Sequence, residues 1–282
     1  MSVHVLVLQH PQLPGCNLGC LKPWFAQLPA LVFDNTVLRM PVAANFALPE
    51  AVQAALQAQA IDWAVLPDKA FGDFGLLVSD MDSTLITIEC VDEIAAGVGL
   101  KEQVAAITER SMRGELDFAQ SLRQRVALLQ GLPESELARV YDEVLQLSPG
   151  AEYLLAECRR HGVKFMLVSG GFTYFTERLR HDLGLNYAYA NTLLMNNGHL
   201  SGTLGGRLID AQAKADLLAE YADKLGLSRA QTLAMGDGAN DIPMLAAAGI
   251  GIAYHAKPKT EAAADVSVRF GGLDAVRKWF RP

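Results

Sequence analysis

The sequence is short of several things that would classify it at once. Its 282 residues hold four cysteines, Cys16, Cys20, Cys90 and Cys158, too few and too scattered for a disulfide framework. Cys16 and Cys20 form a C-x3-C pair, but no second pair stands at ligand spacing, which argues against a zinc site. Long apolar runs are missing too. The longest, Pro243 to Tyr254, is broken by Gly249 and Gly251 and falls well short of a membrane span. Met1 to Leu8 has no basic region and only a short apolar run, so no secretory leader is expected. Positive charge is scarce: 24 Lys and Arg against 31 Asp and Glu leave a net charge of -7, which gives no footprint for nucleic acid or an anionic membrane. Repeats and low-complexity stretches are lacking. What remains is a composition of ordinary globular type, 51% hydrophobic and 20% charged, with length for one large or two modest domains. The expected compartment is a reducing cytoplasm.

Along the chain, residues 1–72 read as a small α/β module. Val3 to Leu8 and Asp62 to Leu66 have strand patterning, Pro49 to Ala58 helical patterning, and the rest is rich in Pro and Gly. No titratable groups gather there at catalytic spacing, so it is expected to be an appendage without chemistry. A second domain is expected over 73–282. From Glu89 to about Leu147 the sequence is rich in Ala, Leu, Glu, Arg and Gln, with few breakers, which predicts consecutive helices. On either side of this block, strands and helices alternate. Strands are expected at Phe74 to Ser79, Lys164 to Ser169, Gln231 to Met235, Ile250 to Ala253 and Val266 to Phe270. Helices fall at Ala151 to His161, Tyr174 to Leu183, Ala211 to Leu225 and Asp241 to Ala248, with a β-rich segment at Tyr187 to Gly206 and a terminal helix. The fold class is therefore α/β, a doubly wound, mostly parallel sheet spanning 73–87 and 148–282, with a helical cap inserted at 88–147 after its first strand. Such a cap is suited to act as a lid.

The chemistry concentrates at strand ends. Leu76-Leu77-Val78-Ser79 runs straight into Asp80-Met81-Asp82-Ser83-Thr84, and alternation along an extended chain points Asp80 and Asp82 the same way. Two such carboxylates repel one another unless a cation or a shared proton relieves them. The plain alternative is a strand ending in an Asx or Ser turn. Ser169-Gly170-Gly171 offers a hydroxyl and open backbone N–H groups, as a phosphate needs, or merely a glycine turn. Asp237 and Asp241 in Gly236-Asp237-Gly238-Ala239-Asn240-Asp241 are ligands or ordinary helix caps. Lys214 lies one turn into a helix that Asp210 would cap, where the macrodipole disfavours a cation. Independent turn chemistry would rarely bring all of these to several strand ends of one sheet.

D-x-D-S-T, S-G-G, the lysine and G-D-G-x-N-D, in that order and with a helical insertion after the first, resemble the haloacid dehalogenase superfamily of aspartate-nucleophile phosphatases. Within it, Glu89-Cys90-Val91-Asp92-Glu93, Met112-Arg113-Gly114-Glu115-Leu116-Asp117-Phe118 and Ser121-Leu122-Arg123-Gln124-Arg125-Val126 look like the phosphoserine phosphatases. The likeness spans about residues 74 to 270; the first 72 lie outside it. It implies hydrolysis of the small molecule O-phosphoserine, the last step of serine biosynthesis, with Asp80 as nucleophile and Asp82 as general acid and base. It also implies Mg2+ held by Asp80, the carbonyl of Asp82 and Asp237, with Asp241 and Asn240 ordering that shell. Ser169, Gly170 and Lys214 would hold phosphoryl oxygens. Glu89 and Arg125 would read the ammonium and carboxylate of the amino acid, with Phe118 two turns before Arg125 on the same helical face.

Two rivals stay open at this level. A phospho-accepting receiver domain also has acids, a hydroxyl and a lysine at strand ends, though it needs no lid. A related phosphatase or phosphotransferase would hand the phosphoryl group to an alcohol such as homoserine instead of water. Homodimerisation, the preference between L- and D-phosphoserine and the role of the first module are not written in these motifs.

Overall fold

A computed structural model describes residues 4–25 and 27–282; Val3, the expected start of the first strand, lies outside them. The first strand is β1 (His4–Gln9), whose apolar residues are buried. It pairs antiparallel on both sides, with β2 (Val37–Val42) and β3 (Asp62–Pro67), giving a three-stranded sheet in the order β2-β1-β3. Helix α1 (Glu50–Gln57) covers it with Val52 and Leu56, four apart on one face. The sequence pattern did not predict β2, because Val-Leu-Arg-Met-Pro-Val contains Pro41. An edge strand tolerates that residue, and β2 is at the edge.

The second sheet begins with β4 (Leu76–Ser79), every residue of which is buried. The helical block follows as α2 (Cys90–Gly97), α3 (Lys101–Met112), α4 (Phe118–Leu128) and α5 (Glu134–Arg139), with a wider turn at Val140–Val144. At the start of α4 the Asp117 carboxylate accepts the Gln120 N–H at 2.7 Å, and the Gln120 side chain accepts the Asp117 N–H in return. Two antiparallel linkers tie the block to the sheet: Ile86 bridges Leu147, and the Thr87 N–H donates to the Gln146 carbonyl at 3.0 Å.

Helix α6 (Ala151–His161) has the bounds expected from sequence, and β5 (Lys164–Phe172) runs three residues past the expected Ser169. Its pairing with the next strand shifts between Val168 and Phe172, so Ser169-Gly170-Gly171 forms a bulged strand end instead of a free loop. Helix α7 (Thr173–Leu183) follows. The β-rich segment resolves into β6 (Tyr187–Asn196) and β7 (His199–Gly205), joined by Asn197-Gly198 with positive φ at both, as a tight hairpin requires. Then come α8 (Ala211–Lys224), β8 (Thr232–Gly236), α9 (Ile242–Ala247), β9 (Ile250–Tyr254), α10 (Pro258–Ala263), β10 (Val266–Val268) and α11 (Asp274–Lys278). Among the described residues these strands make a seven-stranded sheet ordered β10-β9-β8-β4-β5-β6-β7, parallel except for β7.

Side chains alternate across β4. Leu77 joins the core formed with α6 and α7, while Leu76 and Val78 pack on Leu217, Leu218 and Tyr221 of α8. Helices thus cover both faces, the arrangement of a doubly wound sheet. The chain winds one way from β4 through β5 and the other way through β8, so the crevice for a ligand opens at the carboxyl ends of these three strands.

The amino-terminal sheet is fastened to the far edge of this body. The Asp62 carboxylate, 1% exposed, accepts the N–H groups of Arg269 at 2.7 Å, Phe270 at 3.2 Å and Gly271 at 2.8 Å. Those bonds divert residues 269 and 270 from the ladder, which is why β10 stops short of the expected Phe270. Arg39 donates to the Trp279 carbonyl at 2.7 Å, and the Gln9 amide to that of Ala275 at 3.1 Å. No helix among the described residues is long and apolar enough to cross a membrane.

Candidate active site

Asp80 leaves the end of β4 with its N–H donated to the Met235 carbonyl of β8 at 3.0 Å, which fixes it between two strand ends. The chain then turns through Met81–Leu85, with Asp82 extended and Ser83 left-handed at φ 55°. Asp80 and Asp82 both face one cavity of about 780 Å³.

Lys214 sits one turn into α8, whose start is capped as expected by Asp210 accepting the Ala213 N–H at 2.8 Å. The lysine is 1% exposed and its ammonium donates to Asp80 at 2.6 Å and to Asp241 at 2.7 Å. Burial opposes the lysine's charge, but Asp241 and Asp80 outweigh it and push its pKa up. Asp80 is driven well above the carboxylate range by burial and the charge of Asp241, with Lys214 pulling the other way. Asp241 does not cap α9. Its second oxygen accepts the Gly238 N–H at 3.0 Å, and a Cβ on Gly236 would collide with it at 2.4 Å.

Asp237, pushed up to about 6 by burial and by Asp241, completes an acidic cluster. One oxygen each from Asp80, Asp237 and Asp241 falls within 4.8 Å of the others. All three are hard oxygen donors and they crowd more negative charge than Lys214 alone offsets, which fits a bound metal ion.

Asp82 has one oxygen accepting the Cys90 N–H at 2.8 Å and the other 3.3 Å from the Ser169 hydroxyl. Burial raises its pKa. The Ser169 hydroxyl accepts the Gly171 N–H at 2.8 Å, and a Cβ at Gly171 would stand 2.8 Å from Asp82, so the second glycine is required for the carboxylate to fit. At Gly170 a Cβ would meet the Phe118 ring at 3.2 Å, which brings the helical block onto this turn.

The opposite wall belongs to that block. Glu89, open to water on one side, accepts the Ser83 hydroxyl at 2.8 Å and is pushed up to about 7 by burial on its other side and by Asp82. Phe118 and Arg125 both line the cavity from α4. The Arg125 Nε–H is buried with no protein acceptor, and burial lowers the guanidinium pKa against the pull of Asp92, Glu89 and Asp82. Such an orphaned donor is costly unless something else accepts from it.

Of the residues expected at the site, Asp80, Asp82, Glu89, Phe118, Arg125, Gly170, Asp237 and Asn240 line this cavity. Ser169, Lys214 and Asp241 do not; all three are fully buried, Ser169 against Asp82 and Lys214 between Asp80 and Asp241. Sequence reasoning quoted Asp92 and Met112 in its motifs without giving them a role, and overlooked Lys257 and Lys259 on the wall. The lysines follow β9, and the rule that ligands gather at strand ends could have found them. The Cys90 N–H that holds Asp82 is a backbone group without a side-chain signature, although the buried Cys90 thiol also favours the Asp82 carboxylate.

A family model described as haloacid dehalogenase-like hydrolase matches residues 77–246. A phosphoserine phosphatase of Albidiferax ferrireducens is 48% identical over 221 residues, 77% of this chain and 93% of that one. The solved structure of a probable phosphoserine phosphatase from Vibrio cholerae is 40% identical and superposes with a TM-score of 0.83 over 97% of this chain and 84% of the other. A haloacid dehalogenase family hydrolase from Salmonella enterica serovar Typhi superposes at 0.86, with 30% identity, over 98% of this chain and 97% of its own. The chain belongs to the haloacid dehalogenase-like hydrolases, in the branch that holds the phosphoserine phosphatases, and is a phosphoric monoester hydrolase.

Proposed function

We propose that the protein hydrolyses O-phosphoserine to serine and inorganic phosphate, with Mg2+, through a phosphate ester of Asp80, and so forms serine as the last step of its synthesis. The observation that carries this reading is one cavity with two kinds of wall: Asp80 resting on buried Lys214 on one side, Glu89 and Arg125 on the other. The relatives that bear the name phosphoserine phosphatase support it.

The Asp80 oxygen attacks phosphorus as Asp82 gives its proton to the departing serine oxygen. Asp82 then takes a proton from the water that cleaves the ester. Asp80, the carbonyl of Asp82 and Asp237 would hold the cation, with Asp241 and Asn240 ordering them. When bound, the ion offsets the repulsion between the Asp80 carboxylate and a phosphate of charge near -2. Lys214 has three N–H donors, of which two reach Asp80 and Asp241; the third serves a phosphoryl oxygen, together with Ser169 and the Gly170 N–H. Arg125 takes the substrate carboxylate as a fork, which gives its buried Nε–H an acceptor, and Glu89 takes the ammonium. The helical block closes over both.

Phosphate release from a panel of phosphorylated amino acids and sugars, with Mg2+ or with excess chelator, tests this. Preference for phosphoserine and silence in chelator are expected. Undiminished activity in chelator, or equal use of a sugar phosphate, would refute it.

A further inference from the structure

Asp82 is gripped from two directions. Its Oδ2 faces the end of β5, where it accepts the Ser169 hydroxyl at 3.3 Å and lies against the Gly171 backbone, at which a Cβ would stand 2.8 Å away. Its Oδ1 is turned toward the helical block, where it accepts the Cys90 N–H at 2.8 Å. Cys90 is the first residue of α2 and is 1% exposed. That N–H is one of the donors a helix start leaves without an intrahelical partner, so the helix loses nothing by giving it away. The donor and the acceptor sit on opposite sides of the linker at 86–89.

A carboxyl oxygen that accepts a backbone N–H is the poorer place for the acid proton, because donor would then face donor, whereas the Ser169 hydroxyl at Oδ2 can turn to accept instead. We infer that the backbone N–H of Cys90 positions Asp82, assigning its proton to Oδ2. This rests on the reading of Asp82 as the leaving-group acid. In that step the O–H bond at Oδ2 breaks as the serine oxygen takes the proton, and the electron pair of the breaking P–O bond goes to that oxygen. Asp82 is left as a carboxylate. In the second step water yields a proton to Oδ2 while its oxygen bonds phosphorus and the bond from phosphorus to Asp80 breaks, which restores the acid. Cys90 is thus a positioning residue: it touches neither substrate nor phosphorus.

Cys90→Pro removes this N–H together with the buried thiol, which also favours the Asp82 carboxylate, so the two are separated by comparison with Cys90→Ala. Proline is favoured at the first position of a helix, and Glu89, at φ -101° and ψ 105°, already has the extended backbone that a following proline demands. The measurement is kcat/KM for phosphoserine divided by kcat/KM for p-nitrophenyl phosphate, whose nitrophenolate leaves without a proton. An unfolded fraction lowers both terms alike and leaves the quotient untouched. Cys90→Pro is expected to lower the quotient about tenfold or more, through kcat and not KM. Cys90→Ala keeps the N–H and deletes the thiol, and lowers it less. Asp82→Asn is the reference for loss of the acid itself. If Asp82→Asn collapses the quotient and Cys90→Pro leaves it unchanged or depresses both substrates alike, the inference is overturned while the role of Asp82 stands. If Asp82→Asn itself depresses both alike, the acid assignment falls, and this inference with it.

Discussion

Replacing Lys214 by Met probes the floor of the site, because the new chain has nearly the same shape and no charge. The ammonium is 1% exposed, with Asp80 at 2.6 Å and Asp241 at 2.7 Å. Deleting one member of a buried ion pair and leaving the other costs about 3–5 kcal/mol. Here the stranded carboxylates can escape by taking up a proton, so the lower end, about 3 kcal/mol, is expected near neutral pH. At roughly 2–4 °C per kcal/mol for a chain of this size, Tm falls by about 6–12 °C. The pH dependence has a definite sign. Burial and Asp241 already hold Asp80 above the carboxylate range, and loss of the lysine raises it further. An acid whose pKa rises on folding costs stability above its unfolded pKa, near 3.9, and that cost fades as pH falls. Thermal unfolding of both proteins in chelator, at about pH 8 and about pH 5, should show the gap in Tm narrowing on acidification. A shift under about 2 °C near neutrality, or a gap that widens at the lower pH, would refute the reasoning.

Three further outcomes are expected. Asp80→Asn keeps the shape of the side chain but cannot attack, and its turnover of phosphoserine should be lost; a rate near that of the parent would defeat covalent catalysis. Arg125→Met removes a charge-assisted fork worth about 2 kcal/mol in a partly wet pocket, so kcat/KM for phosphoserine should fall roughly 30-fold while that for p-nitrophenyl phosphate changes little; equal losses would show that Arg125 does not read the carboxylate. In chelator, Asp237 titrates at about 6 and Glu89 at about 7, both raised chiefly by burial. Stability of the metal-free protein should therefore decline as pH climbs from about 4 through about 7, and Mg2+ should raise Tm more at about pH 8 than at about pH 5. An identical rise at both would contradict the acidic cluster as the metal site.

What the sequence made legible follows from where local rules and the tertiary fold agree. Helix α6 was bounded correctly because Gly150 and Gly162 flank it, at φ 80° and 74°. Strand β4 was legible because both its faces are buried and it reads as an unbroken apolar run before two acids. Strand β2 was hidden by Pro41, α10 by its shortness, and the stop of β10 by Asp62, which captures backbone donors from more than two hundred residues away. At the site, Asp80, Asp82 and Asp237 line one cavity at strand ends, with Lys214 buried beneath Asp80. Lys257 and Lys259 lie outside any recognisable spacing, and the Cys90 N–H carries no letter in the sequence at all.

The central claim is a phosphoryl group resting briefly on Asp80. Radiolabelled phosphoserine mixed with the enzyme and Mg2+, quenched in acid within one turnover and digested, reports it directly. Label on the peptide that contains Asp80, labile to hydroxylamine and missing from Asp80→Asn, is the predicted result. Free phosphate forming at full rate with no label on the protein at any time would contradict the account.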